Sequence, residues 1–375
     1  MQDIHIVERG NMDNPNKKQR SENDGLDIIS NLPEEFKENI LGRLPTDEAV
    51  RTILLSSQWR TTWMSVQELL FVCPITHSVE NEIEILKINS RFNNLVDTAL
   101  LMHNGAIRKV TLSISEGSYY CLDQWMQILA NNGIQDLCIE NQLMDYKYTL
   151  PPSFYACHSL RYVHLNMCIF LQLPLAFSEF NALHTLYLNI IHVSEDHITS
   201  MASQANTVSK TFGCLSRIKE LHIHGRFFKF FGDKFTSTCN GLEILHLTME
   251  IRDKKEIAAV LRILKSSPML KELIIKIHQY DYYLRNNNTD VWNSQPKISL
   301  KHLEFAELWN YDESESTYAI VKLLMSSAPV LTNIYTKGSS GEALNRLLEK
   351  LSQSEEAELA SVNVVSSSLV LTRVI

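Results

Sequence analysis

The sequence predicts an α/β chain: a short three-helix unit near the N-terminus, then a curved solenoid with parallel strands on its concave face and helices and loops on its convex face. Three observations predict it. Residues 27–63 carry apolar residues at helical spacing, punctuated by prolines. After residue 100 a frame of apolar, two variable, apolar, one variable, apolar recurs nine times. Two of the segments between frames share a helical pattern and the same stop signal.

The helical unit comes first. Pro33 suits a first helical turn, where its missing N–H costs nothing. Glu34 and Glu35 follow, where the helix dipole favours negative charge. Phe36, Ile40 and Leu44 fall four apart on one face, with Leu41 beside them. Pro45 ends that helix. Thr46 is a good N-cap for a second helix, whose apolar face is Val50, Ile53 and Leu54. Trp59 and Trp63, again four apart, belong to a third turn. So small a unit cannot bury this much apolar surface alone. It must dock on the rest of the chain or on a partner, and amphipathicity alone leaves both open.

The frames are Ile107-Val110-Leu112, Ile134-Leu137-Ile139, Leu160-Val163-Leu165, Leu183-Leu186-Leu188 and Ile218-Leu221-Ile223. They continue at Leu242-Leu245-Leu247, Leu270-Leu273-Ile275, Leu300-Leu303-Phe305 and, more weakly, Leu331-Ile334-Thr336. Successive starts lie 27, 26, 23, 35, 24, 28, 30 and 31 residues apart. That spread straddles the roughly 20–29-residue period of leucine-rich repeats. Alternation around the last two apolar positions predicts a strand with one face buried. Each rung buries that face only against its neighbours. Lys255–Ser267 and Glu315–Ser327 predict helices, each closed by a serine pair and a proline, Pro268 and Pro329.

The variable slot in each strand faces away from the core. It yields a column of Thr111, Cys138, His164, Tyr187, His222, His246, Ile274 and Glu304. Flanking columns add Tyr162, Thr185, Glu220 and His302, then Glu140, Asn166, Asn189, His224, Thr248 and Lys276. The middle of the face is rich in His, Tyr and Asn, which combine apolar area with hydrogen bonding and suit a peptide or protein surface. Candidate substrate contacts are Tyr162, His164, Tyr187, His222, His224 and His246. The competing reading is an ordinary solvated strand face. No metal is expected: His222, His224 and His246 could be neighbours, but no Cys or carboxylate of suitable spacing completes a set.

Composition bounds the function. The chain has 375 residues, enough for a small module and one large domain, and is 45% hydrophobic with formal net charge −8. Mean hydropathy is −0.12. The negative balance argues against a nucleic-acid partner, and no apolar run is long enough to cross a membrane. The N-terminal stretch, with acids and no apolar core, is not a secretory signal. Seven cysteines, odd in number and without CxxC spacing, suit reduced thiols in a cytoplasmic or nuclear protein. Residues 1–26 are expected to be a disordered tail; Lys17-Lys18-Gln19-Arg20 within it is too short a basic run to choose the nucleus. The Asn287 sequon matters only in a secreted protein and is discounted. No phosphate-cradling loop or GxSxG elbow occurs. His192 and His197 are five apart and cannot share a helical face as a metalloprotease pair does. The chain reads as non-catalytic.

The Leu32-Pro33 start, the LPTDEAVRT middle and the WR…W end resemble the plant-type F-box along its whole length. That resemblance implies a docking surface for a Skp-type adaptor and, through it, a cullin. Carried over, its contacts are Leu32, Pro33, Ile40, Leu44, Pro45, Val50, Leu54 and Trp59. Gln58 departs from the usual Lys or Arg before the Trp, which removes charge steering but no apolar anchor. The repeats resemble the leucine-rich half of plant F-box proteins of the FBD type, most clearly at LKHLEFAELWN and LLMSSAPVLTNIYTK. The tail after about Gln353 departs from that pattern. Implied boundaries are 27–70 for the F-box-like unit, 71–296 for the repeats and 297–375 for FBD-like repeats. The implied function is substrate recognition in a cullin-RING ubiquitin ligase. A non-ligase scaffold binding a protein partner is the alternative, and an enzyme using the His-rich face is a third reading. With Lys109 and Lys276 as its clear cations, the face lacks the basic floor a polyanion needs, so no inositol-phosphate cofactor is expected.

Overall fold

The computed structural model describes residues 29, 31–51, 59, 62–75, 81–141, 148–169, 180–190, 217–225, 239–251, 253–278, 298–310, 314–337, 349, 359–365 and 368–373. The sequence features at Lys17–Arg20, Leu54, Gln58, His192–His197, Cys214 and Asn287 lie outside them.

Two short helices open the described chain, α1 (Glu34–Leu41) and α2 (Thr46–Arg51). Strand β1 (Glu68–Val72) follows, then a long helix α3 (Glu82–Met102). The repeats proper run through β2 (Lys109–Ile114), helix α4 (Leu122–Asn131), β3 (Asp136–Asn141), β4 (Tyr148–Thr149), β5 (Tyr162–Asn166), β6 (Cys168–Ile169), β7 (Thr185–Ile190) and β8 (Glu220–Gly225). They continue with β9 (Ile244–Met249), α5 (Lys254–Ser266), β10 (Glu272–Ile277), β11 (Phe305–Trp309), α6 (Glu315–Ser327) and β12 (Asn333–Lys337). A pair, β13 (Leu359–Val365) and β14 (Ser368–Arg373), closes the chain.

The sheet has twelve strands in the order β1-β2-β3-β5-β7-β8-β9-β10-β11-β12-β14-β13. From β1 to β12 every pairing is parallel. β4 and β6 pair separately. Strand order follows chain order, as expected when each rung packs only on its neighbours. The predicted parallel α/β architecture is therefore present.

A backbone staircase sets the register. The amides of Gln135 and Asp136 both donate to the Arg108 carbonyl, and those of Arg161 and Tyr162 to Gln135. The same double bond repeats onto Arg161, His184, Lys219, Glu243 and Lys271. Its last step is made by Glu304 and Phe305. Frame apolar residues such as Val110, Leu112, Leu137, Ile139, Leu273 and Ile275 are fully buried beneath it. α5 covers that core with Ile257, Val260, Ile263 and Leu264, and α4 with Leu122, Trp125, Met126 and Leu129.

The staircase corrects the eighth frame. Glu304 is equivalent to Lys271, so the frame is Leu303-Ala306-Leu308, not Leu300-Leu303-Phe305. The slot residue is Glu307, which pairs across from Ile274, and Glu304 and His302 leave the face. The physical reason is that Leu300, buried at the turn that precedes such frames, mimics a frame start, and alanine at 306 hides the true alternation.

Residue 70, the expected end of the helical unit, lies inside β1, which pairs in register with β2, Leu70 opposite Thr111. Val66-Leu69-Phe71 is the same frame one rung earlier, all buried. The helical unit is thus joined to the sheet without a break. The Thr46 hydroxyl, read from sequence as a cap, instead accepts from the Leu70 amide at 3.0 Å on the outer edge of β1. The Thr62 hydroxyl donates to Glu34, and Leu41, Ala49, Trp59 and Trp63 enter the common core.

The predicted helices at 255–267 and 315–327 appear as α5 and α6, each with a side-chain N-cap. Asp253 accepts from the Lys255 and Glu256 amides, and Ser314 from Thr317. The tail becomes an antiparallel addition, with β14 pairing against β12.

Candidate functional site: a docking helix and the outer face of the sheet

Two surfaces carry the site. The first is α1. Its inward side buries Leu41 and Lys37, four apart. An adjacent flank exposes Phe36 at 60% and Ile40 at 43%, also four apart, with Ile29 ahead of them at 59%. Pro33 is exposed beside this row, and Leu32, Leu44 and Pro45 are half-buried. Of these expected adaptor contacts Ile40 belongs to the exposed row, while Leu44 packs partly buried against the core. Phe36, absent from the expected set, is the row's most exposed large member, and the i, i+4 spacing was the signal for it.

Trp59 is different. It is 2% exposed and buried in the chain's own core, so in this structure it supports the unit instead of presenting a surface. Val50 lies in α2 with its side chain outside the description, and Leu54 lies outside it altogether.

The second surface is the sheet face turned away from the core. Register aligns one column across it: Thr111, Cys138, His164, Tyr187, His222, His246, Ile274, Glu307 and Tyr335. All six expected contacts fall on this face. Tyr187 stacks on His222 with ring centroids 3.6 Å apart, and His222 meets His246 edge-on at 4.1 Å. Tyr162 and His164 flank Tyr187 at 5.5 and 5.6 Å.

Glu220 anchors the stack. It accepts from His222 Nε2 at 2.7 Å, the Tyr187 hydroxyl at 3.1 Å and the Thr185 hydroxyl at 3.2 Å. Burial pushes its carboxyl up, but these hydrogen bonds outweigh that and hold it below its usual value. Burial lowers the His222 imidazole to about 4, although Glu220 opposes the shift. Burial, with Lys276 adding to it, takes His224 to about 4 as well. Both rings are neutral near pH 7 and act as flat, polar-edged surfaces, not as cations.

The three histidines do not converge. His222 is engaged by Glu220, His246 by Glu272 at 2.9 Å and His224 by Thr248 at 2.7 Å. Among the described residues the group of metal-ligating side chains that does converge is Cys138, Glu140 and His164. Frame counting placed all three on one face but did not join them. Further along, the corrected register brings Trp309 between Lys276 and Lys337, at 5.8 and 4.9 Å from its ring. Lys337 pairs with the buried Glu307 at 2.8 Å.

Residues 29–71 match the F-box domain family. Residues 122–209 match the LRR repeats of FBD-associated F-box protein At5g56370. Among curated relatives, F-box/FBD/LRR-repeat protein At1g13570 of Arabidopsis thaliana is 33% identical over 182 residues, 47% of this chain and 41% of that protein. F-box/LRR-repeat protein At4g14103, also from Arabidopsis thaliana, is 30% identical over 171 residues, 45% of this chain and 44% of that protein. The matches thus span less than half the length of these relatives. The leucine-rich repeat-containing protein LegL7 from Legionella pneumophila matches 77% of this chain and 98% of its own at 11% identity, but at a TM-score of 0.37, too low to bear on function. Among the described residues no helix is long and apolar enough to cross a membrane.

Proposed function

We propose that this chain, in which an F-box domain is carried on leucine-rich repeats, is the substrate-recognition subunit of an SCF-type cullin-RING ubiquitin ligase. F-box domains generally bind Skp1-type adaptors. The observation that carries the reading is the exposure of Ile29, Phe36 and Ile40 within the F-box match, the last two on a flank of α1 about 100° round from the side that enters the core. Apolar side chains this exposed at helical spacing call for a partner. The adaptor, and through it a cullin, would cover this row. A protein substrate would lie across the His/Tyr stack. The chain's share in the chemistry is proximity, holding substrate near the ubiquitin-carrying enzyme, and bond-making belongs to other subunits.

The test is co-expression with a plant Skp-type adaptor. The expected result is a one-to-one complex that weakens when Phe36→Ala and Ile40→Ala are combined, each costing roughly 2–4 kcal/mol of binding if it is a hot spot. Both side chains point outward, so the free double variant should keep its melting temperature. Unchanged affinity in the folded double variant counts against this surface. A soluble chain that forms no complex favours the non-ligase scaffold instead, a reading supported by the way Trp59, Trp63 and Leu41 cap the chain's own first strand.

A further inference from the structure

We propose that Cys138, Glu140 and His164 form a binding site for a thiophilic divalent cation, Zn2+ above all, on the outer face of the sheet, with one coordination position left open. Cys138 and His164 are direct cross-strand partners on β3 and β5. Glu140 stands two residues along β3 and so projects on the same side. Cys138 Sγ lies 3.4 Å from His164 Nδ1 and 3.6 Å from the Glu140 carboxylate. The ligand atoms of all three lie within 4.8 Å of one another.

Those spacings are the ones a tetrahedral zinc centre demands. Zn–S of about 2.3 Å with Zn–N and Zn–O of about 2.0–2.2 Å puts S···N and S···O edges at about 3.5–3.6 Å. Glu140 is exposed and can swing to close the third edge. A thiolate–imidazole–carboxylate set selects zinc-like ions over Mg2+ and Ca2+, which prefer all-oxygen shells. Without a cation, a hydrogen-bonded chain through the thiol holds the same three atoms in place. The structural device is a preformed site at the end of the His/Tyr stack, next to His164 and Tyr187. It stands independently of ligase assembly.

The test uses the full chain, treated with chelator and then titrated with Co2+, Zn2+ and, as a control, Mg2+. The expected result is one equivalent of Co2+ with a thiolate-to-cobalt charge-transfer band, displaced by Zn2+ and unaffected by Mg2+. Cys138→Ser should abolish the band. Glu140→Gln and His164→Asn should each weaken Zn2+ binding by more than the roughly 10–100-fold usual for losing an outer-shell partner. Glu140 is exposed, so its variant keeps the test valid if Cys138→Ser unfolds. Absence of the band, a band that survives Cys138→Ser, or affinity unchanged by both Glu140→Gln and His164→Asn overturns the proposal.

Discussion

His222 is only 5% exposed and sits between Tyr187 and His246, with Glu220 holding its Nε2. Its neutral state has a consequence for pH. The unfolded imidazole titrates near 6.5, the folded one near 4, and His224 behaves alike. The unfolded chain therefore binds more protons between those values, and stability must rise with pH across that window. Unfolding free energy should be retained above about pH 6.5 and should fall as pH drops toward 4, by at most about 3 kcal/mol per histidine. Denaturant titrations at pH 7 and pH 5 check this: the loss should shrink in His222→Asn and His224→Asn, and an equal loss in those variants would place the titration elsewhere. The positions of these rings were legible in the sequence, because strand alternation alone decides which face a slot residue takes. Their partners were not. Nothing in the spacing says that Glu220 is bound by three donors from two strands, since that depends on side-chain rotamers.

At the scale of single elements, legibility followed the strength of the local signal. α5 and α6 were readable because caps, apolar stripe and proline stop agree. α5 offers a direct check. Asp253→Ala removes the side chain that accepts from the Lys255 and Glu256 amides. It should cost about 1 kcal/mol of stability, read by chemical denaturation, with no change in the sheet. α3 and α4 went unread although Phe92, Val96, Ala99 and Trp125 are buried at helical spacing. α4 lies between frames whose strand pattern dominates the reading, and α3 precedes the first frame read. β1 was missed because Val66-Leu69-Phe71 sits in the shadow of the tryptophan pair that marks the helical unit. The eighth frame slipped by three residues because two overlapping copies exist and the true one carries Ala306. In a repeat, pairing with neighbours decides among such copies, and that information is not local.

Across the whole molecule, an all-neighbour sheet has two edges that could recruit other chains. Here both ends of the repeat run are covered by non-repeat structure, and β13 becomes the outermost strand. The helical unit covers β1, with Thr46 taking the Leu70 amide, and β14 covers β12 with an antiparallel pairing from Asn333 to Thr336. Removing residues 359–375 should expose β12 and raise the molar mass relative to the full chain at micromolar concentration, measured by light scattering after size exclusion. A truncated chain of unchanged association state would mean the edge is protected by its own side chains. The same arrangement gives the molecule a direction in time. Residues 34–75 leave the ribosome ahead of the repeats and become a closed end once β2 pairs with β1. Each later strand then meets a finished template and need search for only one neighbour, which keeps sequence separations short and folding fast for so much parallel sheet. β14 runs against the grain, so the parallel run ends at β12, and β13 pairs outside it in the direction of the repeats.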